Sequence, residues 1–238
     1  MKKEILLTGV RPTSNTIHIG NYFWAIFPLY EYAKRTNNLD NTYIFIADLH
    51  WVIWHHRESL KENVLSQYAI YKAIWFKNIF LQSDILEVTQ IEKYLNSYLN
   101  LWRLTRLHNV KEYLKEKELG TIKLDLLNYP VLMSADILWL QATQVFLGRD
   151  QKQHLEITKE IWEKLQKDTI QNIIIPEWVF FEGQDNQVIW LDGRKMSKSY
   201  KNYIDPFTSD EELLKQVNKI KQIIYLYEIL KILRIVIL

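Results

Sequence analysis

Ile5-Leu6-Leu7-Thr8-Gly9-Val10-Arg11-Pro12-Thr13-Ser14-Asn15 runs from an apolar stretch through a glycine into a small, polar loop. The apolar part reads as a buried strand, and Asn21–Lys34 then carries helical periodicity. Strand, polar turn and helix in that order is the repeating unit of parallel α/β sheets, and its turn is where a phosphate can meet a helix N-terminus. An ordinary βα connection looks the same and is commoner, so the rest of the chain has to decide.

Thr42–Ala47 predicts a second central strand, closed by Asp48-Leu49-His50, and polar residues there sit at the end of a sheet that binds ligands. Leu60–Phe76 is amphipathic at helical spacing, which places Trp75 and Phe76 in the core. Asn78–Gln82 reads as a third strand, with Gln90–Leu107 and Val110–Glu118 as helices and Lys111, Lys115 and Lys117 as a solvated basic edge. Leu124–Gln141 reads as a mostly apolar helix interrupted near Pro130. Its one inner charge, Asp136, needs a partner, because burying a lone carboxylate is costly, and a ligand N–H is a natural candidate. Gln144–Leu147 is a further strand, Gly148–His154 opens a helix through Lys164, and Asn172–Pro176 and Gln187–Leu191 are short strands. Five or six strands alternating with helices give the fold class α/β, a doubly wound parallel sheet.

Composition narrows the chemistry. The chain has 238 residues, enough for one good core, and a net charge of +2, so a nucleic-acid partner would have to bind a local patch. No cysteine is present, which excludes disulfides, zinc-thiolate sites and cysteine nucleophiles. His50, His55 and His56 have no carboxylate or cysteine beside them at ligand spacing, so no metal site is assigned. Residues 1–20 lack a signal-peptide pattern, and a cytoplasmic location is the expectation. Six glycines and five prolines against abundant Ile, Lys, Asn and Tyr are what AT-rich codons would give.

Gly193-Arg194-Lys195-Met196-Ser197-Lys198-Ser199 places two rotatable ammonium groups three apart in a glycine- and serine-rich loop, a pattern suited to phosphate oxygens. Together with Ile17-His18-Ile19-Gly20-Asn21-Tyr22, Ala47-Asp48-Leu49-His50, Gln82-Ser83-Asp84, Tyr129–Leu138 (Tyr-Pro-Val-Leu-Met-Ser-Ala-Asp-Ile-Leu) and Gly148–His154, it resembles the catalytic domain of the tryptophanyl-tRNA synthetases, class I aminoacyl-tRNA synthetases. The ordered set spans about residues 5 to 221.

The resemblance implies a Rossmann-like domain that joins tryptophan to ATP, releases pyrophosphate, and passes the acyl group to tRNA-Trp. It implies that Arg11, Pro12, Thr13, His18, Gly20 and Asn21 bind the nucleotide, with Gly148, Arg149 and Asp150 toward the ribose and Val188 beside adenine. Lys195 and Lys198, helped by His18, would carry the catalysis within a loop that includes Met196, Ser197 and Ser199. Mg²⁺ would bridge phosphate oxygens without a metal site of the chain's own. Asp136 would accept the indole N–H, Met133 would pack the ring, and Tyr129 and Gln151 would contact the ammonium or carboxylate. A homodimer is implied, and no membrane association. Residues 1–205 are expected to form the ATP- and tryptophan-binding domain and 206–238 a remnant of a helical C-terminal domain.

Several positions depart from the family pattern: Thr13-Ser14-Asn15-Thr16 is one residue longer, Trp24, Asp125 and Phe146 replace glycine, glycine and proline, and Trp51 replaces a small residue. The almost wholly apolar tail Ile223–Leu238, too short and too charged inside for a transmembrane helix, reads as a frame-shifted or truncated end, or else as a helix packing on the domain or a second subunit. Two other functions share these features: a non-catalytic synthetase remnant or partner subunit, and a tRNA-independent transferase that forms acyl-adenylates.

Overall fold

Adjacent residues of the first strand, β1 (Leu6–Val10), are buried in different apolar clusters, Leu6 in one and Leu7 in the other. That is the period-two geometry of a strand covered on both faces. In β2 (Thr42–Ile46), Phe45 joins Leu7, while Ile44 and Ile46 join Leu6. In β4 (Gln144–Leu147), Val145 and Phe146 divide in the same way. With β3 (Asn78–Leu81) and β5 (Glu177–Phe180) these strands form one parallel sheet of order β3-β2-β1-β4-β5. The chain builds outward from β1 to β3 on one side and continues with β4 on the other, so the sheet is doubly wound, with its switch point between β1 and β4.

These relations come from a computed structural model that describes residues 4–17, 22, 26–52, 59–116, 121–148, 151–169, 173–180 and 203–218. Its helices are α1 (Phe27–Arg35), α2 (Asp48–Val52), α3 (Leu60–Ala73), α4 (Leu86–Leu95), α5 (Leu101–Leu104), α6 (His108–Glu116), α7 (Leu124–Leu140), α8 (Lys152–Asp168) and α9 (Asp210–Asn218). Leu29 and Ala33 of α1 and Ile70 and Tyr71 of α3 cover the Leu6 face. Val88 of α4, Val131 of α7 and Ile161 and Trp162 of α8 cover the Leu7 face. Each large apolar side chain buried this way contributes roughly 1.5–3 kcal/mol. No helix among the described residues is long and apolar enough to cross a membrane.

The structure corrects several expectations. α7 is not interrupted at Pro130 but continuous through it. The ring removes one helical hydrogen bond, yet residues on both sides, among them Leu126, Leu127, Val131 and Leu132, are buried, and the Ser134 hydroxyl donates to the Pro130 carbonyl at 2.7 Å. The single helix expected over Gln90–Leu107 is instead α4, a 3₁₀ turn at Asn96–Tyr98 and α5. Leu99 is extended there, and the Asn100 side chain accepts the Arg103 N–H at 3.0 Å, capping a new helix. The strand expected at Asn172–Pro176 begins only at Glu177, after the proline that cannot donate to the ladder. The Gln187–Leu191 strand lies outside the described residues.

Trp75 is 77% exposed, not core. At the end of α3 the Phe76 N–H returns to the Tyr71 carbonyl (3.2 Å) and the Trp75 N–H to that of Lys72 (3.0 Å), with Trp75 left-handed at φ 74°. This paired closure usually places glycine at the left-handed position. Here the chain reverses at a tryptophan, and Phe76 rather than Trp75 comes back to the core. α1 and α7 close in the same way, on Asn37 (φ 54°) and Gln141 (φ 52°).

Candidate active site at the sheet switch point

The C-terminal ends of β1 and β4 open onto a cavity of about 270 Å³, toward the small end of small-molecule sites. Gly9 lies on its wall and pairs with Phe45 in the β1–β2 register, where a Cβ would lie 2.3 Å from Phe45 Cζ, so any larger residue would force that ring to move. The Thr8 hydroxyl donates to the Phe146 carbonyl at 2.9 Å, fastening β1 to β4 at the switch point. Phe146 is itself buried, with its ring 5.2 Å from that of Tyr32.

One end of the cavity is built by side chains of helices. Tyr129, Met133 and Ile137 of α7 line it together with His50 of α2, and the Tyr129 ring lies 4.2 Å from His50 and 4.9 Å from His154 between their centroids. Asp136 shares the α7 face of Met133 and Ile137, three and four residues along, but is held just behind the wall. Gln82 Nε2 donates to both its oxygens, at 2.8 and 2.9 Å, and His50 Nε2 lies 3.2 Å from Oδ2. Gln82 is fixed in turn, because its Oε1 accepts the backbone N–H groups of Leu49 (3.2 Å) and His50 (3.4 Å). Burial pushes the Asp136 carboxyl above its ordinary range, and the donors on His50 and Gln82 pull it partly back. The partner that Asp136 requires is thus supplied within the chain. His50 Nδ1 and Gln67 Oε1 are buried without a hydrogen-bond partner, and both residues line the cavity.

The other end is a loop. Arg11, Thr13 and Thr16 line it, and Gly148 and Gln151, after β4 and at the start of α8, line the same cavity. Two amide side chains one turn apart on the buried face of α3 grip the loop backbone. Asn63 Nδ2 donates to the Pro12 carbonyl at 3.0 Å, and Gln67 Nε2 reaches those of Arg11 (3.3 Å) and Ser14 (3.2 Å). Sequence reasoning missed both, although polar residues four apart on an otherwise apolar helix face were a usable signal. It also missed Gln82 as the holder of Asp136.

Of the residues singled out from the sequence, the structure brings Arg11, Thr13, Gly148, Tyr129, Met133 and Gln151 to the one cavity. Pro12 is buried beside it and Asp136 behind it. His18, Gly20, Asn21, Arg149, Asp150, Val188, Lys195, Met196, Ser197, Lys198 and Ser199 lie outside the described residues, as do Trp24 and the side chain of Trp51. Among the described residues no three His, Asp or Glu side chains converge as metal ligands.

A sequence profile for the class I tRNA synthetases of the W and Y type matches residues 2–227. The chain belongs to that family. Among its relatives, the tryptophan–tRNA ligase of Campylobacter jejuni is 36% identical over 220 residues, covering 90% of this chain and 66% of its own length. That of Fusobacterium nucleatum is 36% identical over 221 residues, covering 90% and 65%. The crystal structure of the Campylobacter tryptophanyl-tRNA synthetase complexed with ADP and tryptophan superposes with a TM-score of 0.78 at 34% identity, over 90% of this chain and 66% of that one. The Mycoplasma pneumoniae enzyme gives 0.74 at 28% identity, over 92% and 65%. The chain therefore spans just under two thirds of the length of these relatives.

Proposed function

We propose that the chain activates L-tryptophan with ATP and transfers it to tRNA-Trp. The observation that carries this reading is the switch-point cavity, with an apolar, ring-lined end at Tyr129, Met133 and His50 and a clamped polar loop at Arg11–Thr16. An indole fits the first and a nucleotide phosphate the second. In the reaction, a carboxylate oxygen of tryptophan attacks the α-phosphorus of ATP, the bond to the β-phosphate oxygen breaks, and pyrophosphate leaves with that electron pair. Little covalent chemistry is asked of the protein, and positioning with charge stabilisation carries the step.

Asp136 uses three of its roughly four acceptor sites on Gln82 and His50 and offers the remaining one to the indole N–H. Met133 packs the ring, and Tyr129 and Gln151 address the amino acid's polar groups. Arg11, Pro12, Thr13, His18, Gly20 and Asn21 hold ATP, Gly148, Arg149 and Asp150 the ribose, and Val188 the adenine. Lys195 and Lys198, in the loop with Met196, Ser197 and Ser199, neutralise the departing pyrophosphate. Mg²⁺ arrives bound to the ATP phosphates.

Residues 1–205 form the ATP- and tryptophan-binding unit in this reading, and a cytoplasmic homodimer is its assembly. Amino-acid-dependent ATP–pyrophosphate exchange tests the proposal: tryptophan alone should support exchange, and tRNA-Trp should be charged. If no amino acid supports exchange, the non-catalytic remnant is left, and exchange without charging points to a tRNA-independent adenylating enzyme.

A further inference from the structure

The loop end of the cavity is also held from a distant part of the chain. Thr16, on the cavity wall, donates from Oγ1 to Asp205 Oδ1 at 2.6 Å across 189 residues of sequence. Asp205 is itself fixed. The same Oδ1 accepts the Phe207 N–H at 2.9 Å, an Asx turn, and the Asp205 N–H donates to Gln216 Oε1 of α9 at 2.8 Å. The segment around it is docked on the body of the protein. Ile204 is fully buried, Leu213 and Val217 are buried, and Phe207 packs against the apolar cluster that holds Leu6 and Ile17. Among the described contacts, the amides of α3 hold the Arg11–Thr16 loop from Arg11 to Ser14, and Asp205 holds it at Thr16.

We propose that Asp205 is a positioning residue for the nucleotide. Through Thr16 it fixes the end of the Arg11–Thr16 loop, so that ATP affinity depends on a side chain that does not touch ATP and that α9 holds in place. The proposal rests on the reading that the loop end of the cavity takes ATP. The expected effect is selective. Losing one charge-assisted hydrogen bond should weaken ATP binding about tenfold, while the indole end, built from α2 and α7, is untouched.

The test uses the full 238-residue chain. Thr16→Val removes the donor while leaving the Asx turn and the Gln216 contact in place. It should raise the KM for ATP in exchange, and the calorimetric Kd for ATP, about tenfold, with the KM for tryptophan and the melting temperature unchanged. Thr16→Ser, which keeps the hydroxyl, should restore most of the affinity, as should Asp205→Asn relative to Asp205→Ala. The double variant Thr16→Val/Asp205→Ala should bind ATP no more weakly than Asp205→Ala alone, because both remove the same bond. Unchanged ATP affinity in Thr16→Val, equal losses for both substrates, or additive effects in the double variant would overturn the proposal. If the wild type binds ATP but shows no exchange, the proposed function fails and the calorimetric series alone decides the role of Asp205. If the wild type does not bind ATP, both fail.

Discussion

The two ends of the cavity are held by different means. At the end proposed for the indole, side chains lock side chains: Gln82 ties Asp136 to the backbone of α2, and His50 closes the same network. At the loop end, side chains from elsewhere hold a backbone: Asn63 and Gln67 take its carbonyls. The first arrangement fixes where one acceptor atom sits, which serves discrimination. The second fixes the path of a loop, which serves a polar and less shape-specific ligand. The comparison predicts that damage at the first end is expressed in amino-acid choice, and damage at the second in ATP affinity.

The largest effect is expected from Asp136→Ala. Removing the carboxylate takes away the proposed indole acceptor and strands the buried donors of Gln82 and His50, so kcat/KM for tryptophan in exchange should fall by about 100-fold or more. The KM for ATP should stay within about twofold if the two ends are independent. A parallel rise in both would break the comparison.

A smaller effect is expected from pH. Burial, with the nearby charges of Asp136 and Asp125, pushes the half-buried Glu92 carboxyl up to about 7, against the pull of the Asn128 amide. The fold therefore prefers Glu92 protonated. Its contribution to stability is complete below about 4.5 and is lost as pH rises through about 7. Asp136 is shifted in the same direction and adds to the fall. Glu92→Gln should flatten the stability profile over this window and leave the variant more stable than wild type at pH 8 by about 1 kcal/mol, after allowing for solvent screening. Urea unfolding at pH 5 and pH 8 measures it.

The smallest expected effect lies away from the cavity, at the far end of the helix that carries Asn63 and Gln67. Trp75→Gly relieves a left-handed residue that buries little, and should stabilise the chain by about 0.5–1 kcal/mol without altering either KM. Thermal unfolding with parallel exchange kinetics separates a general gain in stability from an effect on the site.

Legibility in the sequence follows the same division. The sheet could be read because strands covered on both faces show as apolar runs such as Leu6-Leu7 and Tyr43–Ile46, and parallel pairing follows from their alternation with helices. Tyr129 and Met133 could be named only through the resemblance to the family, and Asp136 also because a charge inside an apolar helix needs a partner; all three lie on α7. The helix ends could not be read, since Asn37, Trp75 and Gln141 occupy positions where glycine is the usual signal. The loop anchors could not either. Asn63, Gln67 and Asp205 act through contacts 51 to 189 residues away, and no local pattern encodes that reach. Pro130 misled because burial on both sides of it outweighs the one hydrogen bond that it removes.

The most direct test of the indole assignment compares tryptophan with its benzothiophene analogue, in which sulfur replaces the indole N–H, as substrates for ATP–pyrophosphate exchange by the wild-type chain. A carboxylate whose one remaining acceptor site receives that N–H predicts a preference for tryptophan of about tenfold or more in kcat/KM, because the analogue forgoes one hydrogen bond to a charged acceptor, and predicts that Asp136→Ala largely abolishes the preference. Equal use of the two substrates by the wild type would contradict the account.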